Sequence, residues 1–169
     1  MNLSLREIIE VPGASLPFEC EIDPDDFYFP SVEKFLKPLY ASGEIINTAG
    51  VLNIVGNLEA EMTCICDRCA KEFPSSKYME LNIPLAADLN DEENSEIFAV
   101  KGDEIDLTEI LGTCFILDME TKFLCQEDCK GLCSSCGRDL NQGECDCKKP
   151  VDPRLAVLGQ LLDIKDGEE

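Results

Sequence analysis

Alternation of apolar and polar residues dominates the first half of the chain. In SLPFECEI, Leu16, Phe18, Cys20 and Ile22 fall on one face and Ser15, Pro17, Glu19 and Glu21 on the other, the period of a half-buried strand. NLEAEMTC sets Leu58, Ala60, Met62 and Cys64 against Glu59, Glu61 and Thr63, and YMELNIPL carries the apolar row Met79, Leu81, Ile83 and Leu85. From about Phe35 to Leu85 the chain reads as a meander of long strands, with Gly43, Gly50 and Gly56 as turns or bulges. Strands close in sequence, each with one polar face, predict an antiparallel sheet or a partly closed barrel. Upstream, LREIIEVPG predicts a short helical turn stopped by Pro12 and Gly13, and DPDDFYFPS reads as loop.

The period then changes. DLNDEENSE carries five acids and no base, the mark of a solvated loop. In IDLTEILGTCFILDMET, Asp106 is an N-cap with Glu109 three residues on, a capping box. Leu107, Ile110, Leu111 and Cys114 follow at helical spacing. A second helix is predicted in VDPRLAVLGQLLD, with Asp152 as cap, Pro153 in the first helical position and a stripe of Leu155, Leu158 and Leu162.

Eleven cysteines and no histidine change the picture. Cys20 and Cys64 lie on the apolar rows of strands and Cys114 on the helix stripe, where a free thiol serves as a small hydrophobe. The remaining eight are Cys66, Cys69, Cys125, Cys129, Cys133, Cys136, Cys145 and Cys147. Cys66-Asp-Arg-Cys69 and Cys133-Ser-Ser-Cys136 have the spacing of zinc knuckles, in which one turn aims two sulfurs at one metal. Zinc suits closed sets of soft thiolates and brings no redox chemistry. Two structural zinc sites are therefore expected. Chain order pairs Cys133, Cys136, Cys145 and Cys147 in one site, and Cys66 and Cys69 with Cys125 and Cys129 in the other. The pairs can be divided in two further ways that sequence leaves open. An iron–sulfur cluster also takes four thiolates, whereas thioredoxin-like chemistry needs a strand–helix–strand unit that is not visible here. The predicted fold is α+β: an antiparallel meander or partly closed barrel with first knuckle and capped helix (residues 1–121), then a zinc-ribbon-like module with the second short helix (residues 122–169).

Charge narrows the function classes. The chain carries 14 basic and 35 acidic residues, a net charge of -21, which suits attraction to basic proteins rather than to nucleic-acid phosphates. Between Lys122 and Arg154 the six basic and six acidic residues cancel, so the whole imbalance lies outside the cysteine-rich stretch. No histidine supplies a base near neutral pH. Neither a phosphate loop nor a G-x-S-x-G motif occurs. The expectation is a non-enzymatic protein without a small-molecule substrate. With no apolar run of membrane-spanning length and no secretory leader, it is expected in the cytoplasm, where thiols stay reduced.

In order, CDRC after a strand, IDLTEIL, LCQEDCKGLCSSCGRDLN, CDC and DPRLAVLGQLL resemble the YceD family, the large ribosomal RNA subunit accumulation proteins, from about Gly50 to Leu162. The resemblance implies an accessory role in the synthesis, processing or stability of large-subunit (23S) rRNA, in bacterial cytoplasm or a plastid, with no assigned catalytic residue. It singles out Asp67 and Arg68, inside the first knuckle, as the positions to test. Combined with charge, it implies a basic protein of the ribosome or rRNA-processing machinery as partner. A zinc ribbon touching rRNA weakly through Arg138, Lys148, Lys149 and Arg154 is the second reading, and a thiol redox sensor the third. Cys20→Ala and Cys114→Ala are expected to leave metal content unchanged by elemental analysis while costing about 1 kcal/mol each; loss of a metal equivalent in either would misplace a ligand.

Overall fold

The computed structural model describes residues 1–86, 98–100 and 102–147. Its elements are β1 (Asn2–Ser4), β2 (Ser15–Ile22), a 3-10 turn (Pro24–Asp26), β3 (Val32–Phe35), β4 (Leu39–Thr48), β5 (Val51–Ile65), β6 (Glu72–Ala86), β7 (Phe98–Ala99), β8 (Glu104–Asp106) and α1 (Leu107–Asp118). The main sheet runs β2-β4-β5-β6-β7, and β3 continues the β4 edge of β5. All its pairings are antiparallel except β6 with β7. Its centre, β4-β5-β6, is a meander, and β2 and β7 are the ends of the sheet. Among the described residues it does not close into a barrel. The acidic segment DLNDEENSE and the helix expected from Asp152 lie outside the described residues.

Strand alternation places the core as the sequence implies. Phe18, Cys20, Ile22, Leu58, Ala60, Met62, Cys64, Met79, Leu81, Ile83 and Leu85 are all buried on the inner face. α1 covers that face. Its start is set by Asp106, whose carboxylate accepts the N–H groups of Thr108 and Glu109 at 3.1 and 3.3 Å. Leu107, Ile110, Leu111 and Phe115 are buried, whereas Cys114 is only half-buried. Steps of four residues from Leu107 lead through Leu111 to Phe115, leaving Cys114 on the flank. Phe115 meets Phe27, Phe29 and Phe35 at ring distances of 5.6 to 6.2 Å, favourable edge and tilted geometries. The DPDDFYFPS segment is thus loop in backbone but core in its alternate residues, with Tyr28 between the two rings 86% exposed. Lys77 closes the other end of the helix, donating to the carbonyl of Asp118 at 2.7 Å and pairing with Asp118 and Glu120.

The three glycines play two different parts. Gly50, at φ 94°, and Ala49, at φ 53°, form the two-residue turn between β4 and β5, which calls for positive φ at both positions. Gly43 and Gly56 are neither turn nor bulge; they face each other across β4 and β5. A Cβ on either would lie 2.2 Å from a backbone oxygen of the opposite strand. In the same inward row stand Phe18 and Leu81, large side chains beside the gap that the glycines leave. The expected N-terminal turn is present, with Leu5 and Ile8 buried and the Ile9 N–H bonded to the Leu5 carbonyl at 2.8 Å. It is tied down by buried Asn47, which donates to the Ile8 and Ile9 carbonyls and accepts the Gly50 N–H.

Ala49→Asn, giving the Asn-Gly pair this turn prefers, is expected to raise unfolding free energy by about 0.5–1 kcal/mol. Gly56→Ala is expected to lower it by about 3 kcal/mol through overpacking. Urea denaturation midpoints check both.

Candidate metal centres

The long β5–β6 ribbon ends in the first knuckle. The Cys66 N–H bonds to the Lys71 carbonyl at 2.9 Å and the Ala70 N–H to the Cys66 carbonyl at 2.8 Å. The second knuckle repeats the pattern five residues wide: Cys133 N–H to the Arg138 carbonyl at 2.9 Å, Gly137 N–H to the Cys133 carbonyl at 2.8 Å. Ala70, at φ 56°, stands where the second copy has Gly137, at φ 72°. Both turns need a left-handed residue after the second cysteine, which glycine adopts without strain. Apart from the Leu132–Asp139 bridge, the described residues after α1 form no strand pairing, so the expected ribbon is reduced there to knuckle and loop.

The sulfurs of Cys66, Cys69, Cys125 and Cys129 lie within 4.8 Å of one another, and so do those of Cys133, Cys136, Cys145 and Cys147. This is the division that chain order favours. Cys66 and Cys129 are 3.8 Å apart and Cys69 and Cys125 3.6 Å. Tetrahedral zinc at about 2.3 Å from each thiolate places sulfurs roughly 3.8 Å apart, while a disulfide needs about 2.05 Å. The spacing fits a four-thiolate ion without a rearrangement. Zinc bound here would be a structural centre with every position filled by sulfur. The clusters differ in depth: Cys66, Cys69 and Cys129 are buried, whereas Cys136 and Cys147 are exposed.

Asp67 and Arg68 hold the first cluster together. The Asp67 carboxylate accepts from the Ser31 hydroxyl and from the Phe123 N–H, both at 2.6 Å, and these bonds keep it below the usual carboxylate range. Arg68 donates to the Cys129 carbonyl at 2.8 Å and to that of Glu127 at 3.3 Å. Its own carbonyl accepts the Leu132 N–H. Gly131, at φ 74°, lets the chain approach that carbonyl; a Cβ would sit 2.9 Å from it. Sequence reasoning named Asp67 and Arg68 for the family resemblance, and their contacts are those of a clamp. It did not find Ser31 or Asn141. Asn141 donates to the Cys129 sulfur at 3.4 Å, accepts the Lys130 N–H at 2.8 Å and is held by Asp139 at 2.7 Å. The one legible hint was the turn-forming string DLNQG.

Backbone dipoles and mutual repulsion pull the thiols of each cluster apart. Burial opposes ionisation of Cys66, but the N–H groups of Cys125, Cys69 and Arg68 outweigh it and bring that thiol to about 6. The Ser135 and Cys136 N–H groups do the same for Cys133, also about 6. Burial and the neighbouring sulfurs push Cys125 up to about 12, and the Cys136 sulfur foremost does so for Cys147, again about 12. Cys69 and Cys145 are raised as well. One thiolate forms readily in each cluster; a full set needs a cation among them.

A family model described as "Large ribosomal RNA subunit accumulation protein YceD" matches residues 54–162, which include all eight clustered cysteines. The chain belongs to the YceD family. It is 24% identical over 155 residues to the chloroplastic "Large ribosomal RNA subunit accumulation protein YCED homolog 1" of Arabidopsis thaliana, covering 73% of the chain and 48% of that protein. The Zea mays protein of the same name is 26% identical over 143 residues, 66% of the chain and 49% of its own length. The chain thus spans about half the length of these plant relatives. YlbN of Bacillus subtilis, 24% identical over 166 residues, is covered to 96%, as is the chain itself. No solved structure matches.

In each cluster two thiols are raised and hence protonated at neutral pH in the metal-free chain. Zinc is therefore expected to displace at least two protons per site, from Cys69 and Cys125 and from Cys145 and Cys147. Affinity falls as pH falls, because protons compete for the same sulfurs. Base uptake during zinc titration in unbuffered solution measures this; no proton release would refute thiolate ligation.

Proposed function

We propose that the protein is a non-enzymatic accessory factor in the synthesis, processing or stability of large-subunit rRNA, acting in the cytoplasm through a basic protein partner. The match to the YceD family carries the rRNA role. The net charge of -21 supports the partner's sign, since opposite fields speed encounter and exclude like-charged competitors. Two structural zinc ions, ligated by Cys66, Cys69, Cys125 and Cys129 and by Cys133, Cys136, Cys145 and Cys147, hold the segment after α1 against the sheet. All-cysteine sets leave no coordination position for a substrate, which supports the non-enzymatic reading. Asp67 and Arg68 serve by fixing the first site.

Direct contact with rRNA through the cysteine-rich segment is the second reading. Its support is that the stretch from Lys122 to Arg154 is electrically neutral. Arg138, its basic residue in the second knuckle, is exposed and has one guanidinium N–H on the Glu144 carbonyl at 3.2 Å.

Depleting the protein is expected to lower large-subunit relative to small-subunit rRNA, and freshly purified protein to contain two zinc ions by elemental analysis. An unchanged rRNA ratio overturns the role. Tight, sequence-selective binding of naked rRNA fragments at physiological salt would promote the direct-contact reading instead.

A further inference from the structure

Two tyrosines interrupt the charged outer face of the sheet. In strand register Glu21, Tyr40, Glu59 and Tyr78 form one row across β2, β4, β5 and β6. Tyr40 is 39% exposed and Tyr78 57%. The next row is Glu19, Ser42, Asn57 and Glu80, and the one after it Pro17, Glu44, Val55 and Asn82. Three rows thus carry five glutamates and no basic residue. Glu19, Glu21, Glu44, Glu59 and Glu80 are exposed, and among the described residues none joins an ion pair. A surface serving only solubility interleaves both signs and avoids exposed aromatics. The Tyr78 hydroxyl is bonded to Asn57 Oδ1 at 3.0 Å, which anchors the side chain and leaves its ring for an arriving group.

We propose that the outer face of β2, β4, β5 and β6 binds an arginine-rich segment of a partner protein, with one guanidinium entering between Tyr40 and Tyr78 over Glu59 and the following arginines held by the glutamates of the next rows. This deepens the basic-partner reading above and rests on it. Arginine is the residue that both stacks on an aromatic face and pairs with carboxylates through a planar fork. Geometry sets the arrangement. Rows along a strand recur every ~6.8 Å, the spacing of alternate side chains in an extended peptide. A segment with arginine at every second residue, lying along the strands, meets successive rows in step. RNA is disfavoured, because its phosphates would meet the same five carboxylates.

The test is fluorescence anisotropy with the full chain and a labelled peptide alternating arginine and serine, set beside one alternating lysine and serine. The wild type is expected to prefer the arginine peptide. The double variant Tyr40→Thr, Tyr78→Thr, which keeps good strand formers, is expected to lose about tenfold in affinity, and Glu59→Gln to lose affinity too. Unchanged melting temperatures show that the fold is intact. Wild-type binding by both variants, equal binding of the two peptides, or preferential binding of an RNA hairpin to this face would overturn the proposal. The assay is independent of rRNA levels: failure of the variants to weaken binding refutes this face alone, while an unchanged rRNA ratio on depletion refutes the proposed function and leaves the binding result standing.

Discussion

Sulfurs brought as close as those of Cys66, Cys69, Cys125 and Cys129 repel one another as they ionise, so this meeting of two chain segments is stable only with a cation between them or with protons left on. The segment after α1 depends on how that conflict is resolved. From Thr121 to Cys147 only Phe123, Cys129 and Gly131 are buried, far too little apolar area to dock the segment alone. The hydrogen bonds of Asp67 and Arg68 aim it at the hairpin tip, but each is a modest contribution. A structural zinc, worth on the order of 10–16 kcal/mol in apparent binding free energy, would exceed them together. The sheet needs no such help: its inner rows pack against α1 and the phenylalanine group around Phe115.

What was legible in the sequence follows from the range of the interaction involved. Period-two rows in β2, β5 and β6, and the cap at Asp106, are local signals, and they stand where alternation and capping chemistry put them. Chain order favours the grouping that the sulfur positions show but leaves two others open, because Cys66 and Cys69 meet Cys125 and Cys129 from a distant segment. Pairings between distant segments left no such mark. β1 with β8, and Asn47 with the turn at Ile8, join places that neither composition nor period connects. Gly43 and Gly56 read as punctuation because a lone glycine in a strand pattern does not announce its cross-strand partner. Cys114 packs against the core at the margin of the stripe whose centre Phe115 continues, a distinction a helical period resolves only once the buried direction is known.

The two faces of the sheet have separate tasks. Inward, paired glycines let β4 and β5 approach until no Cβ fits, with Phe18 and Leu81 in the same row. Outward, among the described residues, the same strands expose Glu19, Glu21, Glu44, Glu59 and Glu80. Changes on one face can therefore be made with little cost to the other.

Asn141 belongs by sequence to the loop of the outer cluster, yet its amide reaches a sulfur of the inner one. The two centres are in that sense wired in series. Loss of that loop's shape withdraws a hydrogen-bond donor from the Cys129 sulfur. The solvent-facing loop thus lends the interior cluster one contact beyond those made by Asp67 and Arg68.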